Sequence, residues 1–130
     1  MEESTKKILI VEDEASQRKA LVDKFTHEGF RVVEAKDGKD GLNVARKELP
    51  DVILLDIIMP KMDGMTMLKI LREDNAWGKK VPVIMLTNQS ADDRVNNEIL
   101  ENEPAYYLVK ANWSLNDVVE KVKECLSRPV

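Results

Sequence analysis

Polar side chains with reactive chemistry recur at one kind of place in this sequence, directly after a short apolar run. Ile8-Leu9-Ile10-Val11 is followed by Glu12-Asp13, and Val52-Ile53-Leu54-Leu55 by Asp56. Val83-Ile84-Met85-Leu86 is followed by Thr87, and Tyr106-Tyr107-Leu108-Val109 by Lys110. Clustered carboxylates repel one another and tolerate proximity best around a hard cation. Mg2+ takes oxygen ligands, keeps several waters, and is typically held by one or two carboxylates plus a phosphate. A carboxylate is also a nucleophile toward phosphorus, giving an aspartyl phosphate. Phosphoryl transfer needs mainly positioning and neutralisation of the equatorial oxygens, which one metal, one Lys and one Thr hydroxyl would supply.

These groups can meet only if the apolar runs are neighbouring strands pointing the same way. The four runs, with Phe30-Arg31-Val32-Val33, have strand-like length and β-branched or aromatic content. Those that start at Ile8, Val52 and Val83 carry no polar residue, as suits strands covered on both faces of a parallel sheet. Helical periodicity fills the intervals. Leu115, Val118, Val119, Val122 and Leu126 form one stripe, with Ser114 as its N-cap and Asp117 three residues on. Ala15, Leu21, Val22 and Phe25 mark the first helix, which Gly29 stops; 38–47, 66–75 and 90–101 give the second to fourth. The second reads as weak, because a glycine such as Gly41 costs about 0.8–1 kcal/mol inside a helix. The pattern is an α/β fold, (βα) five times, with helices on both faces of a doubly wound parallel sheet. All strands then end on one edge, where open α/β sheets bind ligands.

Taken singly, each residue has a plainer explanation. Thr87 can simply end a strand, Lys110 can lie on the surface, and Glu12 and Asp13 can complement a helix N-terminus. Asp56 is harder to dismiss, since it sits between aliphatic residues, where a carboxylate costs stability unless paired or bound to metal. Chance would also have to place suitable types at four strand ends together.

Composition narrows the alternatives. The chain has 130 residues, 43% apolar and 34% charged, which fits one folded domain, 1–130, with no output domain expected. The net charge is −4, so no electrostatic footprint for nucleic acid is present. No apolar stretch approaches a membrane span, no signal peptide is read, and the single cysteine, Cys125, fits a reducing cytoplasmic setting. One His and one Cys cannot build the usual zinc site, so any metal must be held by oxygen. The glycine patterns of P-loop and dinucleotide folds are absent. A haloacid dehalogenase-type phosphatase needs a second carboxylate two residues after its aspartate, where this chain has Ile58.

The sequence resembles the receiver domain of two-component response regulators over nearly its whole length. The resemblance rests on Ile8-Leu9-Ile10-Val11-Glu12-Asp13-Glu14, on Asp56-Ile57-Ile58-Met59-Pro60-Lys61-Met62-Asp63-Gly64, on Leu86-Thr87, and on Tyr107-Leu108-Val109-Lys110. It implies a flavodoxin-like sheet of order 2-1-3-4-5, the strand order known for receivers. It implies that Asp56 accepts a phosphoryl group from a phosphohistidine on a sensor histidine kinase or phosphotransfer protein. Asp13, Asp56 and the Ile58 carbonyl would bind Mg2+ or Mn2+, with Glu12 acting largely through water. Lys110 and Thr87 would contact phosphoryl oxygens, and Tyr107 would swing inward. The surface formed by the fourth helix, fifth strand and fifth helix would then change. Such a protein is no enzyme beyond its own phosphorylation and dephosphorylation. The competing readings are a receiver-shaped adaptor that docks partners without being phosphorylated, or a receiver excised from a longer regulator.

The sequence departs from the family at two places. Ala111 stands where proline, often cis, usually follows the lysine; a non-proline cis bond costs about 2.5–4 kcal/mol, so a trans Lys110-Ala111 bond is expected. Asn88 follows Thr87 where a smaller residue is usual. Of the remaining residues, Met59, Met62, Met65 and Met67 read as packing, His27 as a solvated helix residue, Cys125 as buried and inert, and Trp77 beside Gly78 as a loop residue. Trp113 is a possible fluorescent reporter of the site. The acidic stretch with Asp92, Asp93, Glu98, Glu101 and Glu103 reads as a solvated face or as a docking face for a basic partner.

Overall fold

Strands and helices alternate from the start of the chain. The computed structural model describes residues 5–56, 62, 64–74, 76–87, 106–109 and 114–127. The strands are β1 (Lys7–Val11), β2 (Arg31–Ala35), β3 (Val52–Asp56), β4 (Val83–Thr87) and β5 (Tyr106–Val109). The helices are α1 (Ala15–His27), α2 (Gly38–Glu48), α3 (Gly64–Asp74), the short α4 (Ala76–Lys80) and α5 (Leu115–Ser127). All pairings are parallel, and the sheet order is β2-β1-β3-β4-β5.

The period of two along each strand splits the core between the sheet's faces. Leu9, Val11, Ile53, Leu55, Val83 and Met85 pack with Leu42 and Ala45 of α2 and with Met67, Leu68 and Leu71 of α3. Ile8, Ile10, Val52, Leu54, Ile84 and Leu86 pack with Leu21 and Phe25 of α1 and with Val118, Val119 and Val122 of α5. Strands buried on both sides have no room for polar residues, which explains the uninterrupted runs.

Helix ends follow the expected chemistry in part. Ser114 and Asp117 cap α5 reciprocally: the Ser114 N–H donates to Asp117 Oδ2 (3.0 Å) and the Asp117 N–H to Ser114 Oγ (3.1 Å). The Asp37 carboxylate accepts from the Asp40 N–H at the start of α2 (2.8 Å). Gly29, at φ 95°, lies just past α1 as a left-handed stop. At the end of α2 that conformation falls on Leu49, φ 46°, where an L-residue costs about 1–2 kcal/mol.

Three expectations need correcting. Trp77 is helical, within α4, and packs against the core beside α2 and α3. The corner holds because Arg72 Nη1 donates to the carbonyls of Gly78 (2.9 Å) and Val81 (2.7 Å), a tie that Trp-Gly read as loop signals does not reveal. α3 begins at Gly64 rather than at residue 66, since glycine is cheaply accommodated in a first turn. Leu115 is exposed, although it shares the stripe of Val118, Val119 and Val122. Gly41 is less anomalous than its propensity implies, because a Cβ there would meet Met67 Sδ at 2.8 Å and Val11 Cγ2 at 3.1 Å. His27 is exposed and Cys125 is a buried thiol outside any disulfide, both as expected. No helix among the described residues is long and apolar enough to cross a membrane.

Candidate metal and phosphoacceptor site

Register sets the level of each candidate group. Val11 pairs with Leu55, so Glu12 leaves β1 at the level where Asp56 ends β3. Asp56 pairs with Leu86, and Leu86 with Leu108. Thr87 and Val109 pair one residue further out, and Lys110 follows Val109 in sequence. Tyr107 pairs with Met85, inside the ladder. Ile58, Lys110, the Lys110-Ala111 bond, Asn88, Trp113 and the fourth predicted helix lie outside the described residues.

Glu12, Asp13 and Asp56 do meet. Each brings one carboxylate oxygen into a group whose members all lie within 4.8 Å of one another. Glu12 and Asp56 are 2% and 7% exposed, whereas Asp13 is open to solvent. No fully buried side-chain nitrogen or oxygen among the described residues lacks a hydrogen bond. Two of three mutually close carboxylates are therefore held in a partly desolvated cleft, where like charges cost energy.

The donor set fits a hard divalent cation. Opposite ligands of an octahedral Mg2+ site with bonds of about 2.0–2.1 Å lie about 4 Å apart, so small adjustments bring these oxygens around one ion. No nitrogen or sulfur ligand is in the group, which disfavours zinc or copper.

The loop carrying Glu12 and Asp13 is tied on several sides. The Glu12 N–H donates to the Ala35 carbonyl (3.1 Å), extending the β1–β2 ladder. The Glu14 N–H donates to Glu12 Oε2 (3.2 Å). Arg18, in the first turn of α1, donates from Nη1 to the carbonyls of Glu12 (2.8 Å) and Asp13 (3.4 Å), and from Nε to Glu34 Oε1 of β2 (3.0 Å). Sequence reading does not single out Arg18, because an arginine early in an amphipathic helix looks like any solvated one. The only available signal is its place, one turn past the acidic pair.

Gly38 opens α2 against the backbone of Met62, which follows Asp56 in the chain. Its N–H donates to the Met62 carbonyl (3.1 Å), and a Cβ at position 38 would come within 2.3 Å of that oxygen. Glycine is required there by close backbone approach.

Comparison with known proteins agrees with this fold. The family model for the response regulator receiver domain matches residues 8–123. The chain is 47% identical over 127 residues to a probable transcriptional regulator ycf27 of Guillardia theta, covering 97% of this chain and 47% of that one. A CheY-like response regulator receiver domain protein from Methanospirillum hungatei superposes with a TM-score of 0.86 at 28% identity, covering 95% of this chain and 94% of that one. The CheX-CheY complex of Borrelia burgdorferi with BeF3 and Mg2+ superposes with a TM-score of 0.81 at 29% identity, covering 94% and 90%. The chain spans about half the length of the curated regulators it matches first.

Proposed function

This chain belongs to the response regulator receiver family of two-component signalling, and from that premise we propose that it accepts a phosphoryl group on Asp56 in a Mg2+-dependent reaction. The observation that carries the proposal is the meeting of Glu12, Asp13 and Asp56 within 4.8 Å at the ends of adjacent parallel strands. One Asp56 oxygen attacks the phosphorus of a partner's phosphohistidine; the new P–O bond forms as the P–N bond breaks, and the histidine leaves with its electron pair. Hydrolysis of the acyl phosphate by water restores the carboxylate. These are the only reactions the domain promotes, both upon itself.

Asp13 and Asp56, with the Ile58 carbonyl, would hold Mg2+ or Mn2+, with Glu12 acting largely through water. A cation held there would supply neutralisation of the charge on the phosphoryl oxygens. Lys110 and Thr87 contact two of those oxygens, and Tyr107 responds to the movement of Thr87. The surface made by the predicted 90–101 helix, β5 and α5 carries the change to a downstream protein. The partner that delivers the phosphoryl group is a sensor histidine kinase or a phosphotransfer protein, on the cytoplasmic side of the membrane. The Borrelia CheX-CheY complex with BeF3 and Mg2+ supports both the metal and the partner-binding parts of this reading.

The test is incubation with a small-molecule phosphodonor, followed by intact mass and peptide mapping. We expect one added phosphoryl group, on Asp56, only when Mg2+ is present. Asp56→Asn abolishes it and Asp13→Asn slows it. A phosphate mapped elsewhere, or none under any condition, overturns the assignment; the second result favours the adaptor.

A further inference from the structure

Asp13 is exposed, and its carboxylate shares a group with two buried ones. Its backbone is held on both sides. The Glu12 carbonyl belongs to the peptide plane before the Asp13 Cα, and the Asp13 carbonyl to the plane after it. Arg18 Nη1 donates to both, at 2.8 and 3.4 Å. With both planes set, the direction in which the Asp13 Cβ leaves the chain is set too.

Arg18 is itself anchored at both ends. Its backbone N–H donates to the Glu14 carbonyl (2.9 Å), and its Nε to Glu34 Oε1 (3.0 Å). The guanidinium is planar and its donors form a rigid fork, so fixing Nε on β2 also aims Nη1 at the loop. Its side chain is 20% exposed, against 53% for Glu34, which places the fork on the sheltered side of the pair.

We propose that Arg18, anchored by Glu34, is a positioning residue for the metal-binding carboxylates: by fixing the peptide planes on either side of Asp13 it holds that carboxylate beside Glu12 and Asp56. The inference rests on the metal-dependent reading above and adds two residues that act through others. It has a distinctive sign. A cation beside a dication site weakens binding by repulsion, so a purely electrostatic role makes removal of Arg18 tighten Mg2+ binding. Loss of positioning loosens it.

The experiment is a Mg2+ titration of the urea-unfolding midpoint, which yields a Kd for wild type, Arg18→Ala, Arg18→Lys and Glu34→Ala. Removal of an outer partner of a metal ligand typically weakens affinity about 10–100-fold, and we expect Arg18→Ala to raise Kd about tenfold. Arg18→Lys keeps the charge without the fork and is expected to lose nearly as much. Glu34→Ala, which leaves Arg18 unaimed, is expected to fall between wild type and Arg18→Ala. Unchanged or tighter Mg2+ binding by Arg18→Ala overturns the proposal, even if its metal-free midpoint falls, since that is what a merely structural role gives. Wild-type affinity in Arg18→Lys overturns it as well. If Arg18→Ala fails to fold, Glu34→Ala decides, and an unchanged Kd there is refutation. A wild type that does not respond to Mg2+ removes the metal-dependent reading and this inference together; a responsive wild type with equally responsive variants removes this inference alone.

Discussion

Replacing Asp56 by Asn is expected to make the metal-free protein more stable, although Asp56 is the residue on which the proposed function depends. Its carboxylate lies in a group with those of Glu12 and Asp13, all within 4.8 Å. At that separation one like-charge pair costs about 0.9 kcal/mol in water and about 3.5 kcal/mol at an effective dielectric of 20. The two pairs that involve Asp56 therefore cost about 1.7 to about 7 kcal/mol. Solvent and the hydrogen bonds of the buried carboxylates offset part of this, so we take the low end and expect a gain of about 1–2 kcal/mol. For a domain of this size that is about 4–7 °C in Tm. Mg2+ binds only the folded site and stabilises wild type by RT ln(1 + [Mg2+]/Kd), about 2.7 kcal/mol at a hundredfold excess over Kd. The variant has lost a ligand and gains less, so the order of the two proteins draws level or reverses as Mg2+ is added. The assay is urea or thermal unfolding of both proteins in EDTA and in Mg2+. If Asp56→Asn is destabilising in EDTA and Mg2+ moves neither midpoint, the carboxylates form no metal site.

Gly38→Ala is expected to destabilise by about 1–3 kcal/mol, because the new methyl would press on the Met62 backbone; Gly41→Ala meets the movable end of Met67 and gains helix propensity, so urea unfolding that ranks it equal to or worse than Gly38→Ala contradicts this account of the two glycines. Acid sensitivity at the start of α5 follows from Asp117, whose carboxyl is held below its usual range first by the Ser114 N–H and then by the Ser114 side chain. A lowered carboxyl contributes stability that is complete above the unfolded aspartate pKa of about 3.9 and is lost as pH falls through the folded value. Asp117→Asn is thus expected to be less stable than wild type at neutral pH, with a gap that closes in acid; a gap that stays constant on an acid titration of the unfolding midpoint refutes it.

The strands were readable because burial on both faces leaves a sequence no alternative to an apolar run, and Ile8–Val11, Val52–Leu55 and Val83–Leu86 are such runs. The residues that stop them are readable in part for the same reason: Asp56 stands where a carboxylate needs a justification, while Glu12 and Asp13 gain theirs only from the joint pattern, and the structure brings those three together. α5 was readable down to its cap, since Ser114 and Asp117 act over three residues and need no tertiary knowledge. Trp77 was misread because what makes it helical is distant: Arg72 closing on Gly78 and Val81, and a core on which an indole can lie.

The same distinction separates residues proposed to react from residues proposed to position. Asp56 carries its chemistry in its type, and a carboxylate at the end of an aliphatic strand is informative before any fold is known. Arg18 and Gly38 carry theirs only in their neighbours. An arginine becomes a fork for the Glu12 and Asp13 carbonyls only when β2 places Glu34 behind it. A glycine becomes indispensable only when the chain beyond Asp56 brings the Met62 carbonyl within 2.3 Å of where its Cβ would be. Both features grip segments that leave the sheet at the acidic group, one after β1 and one after β3. The parallel sheet sets the level of the carboxylates by register, but register stops at the last paired residue. Beyond it the loops need their own restraints, and those restraints come from the helices on either side, from side chains whose type alone does not declare the task.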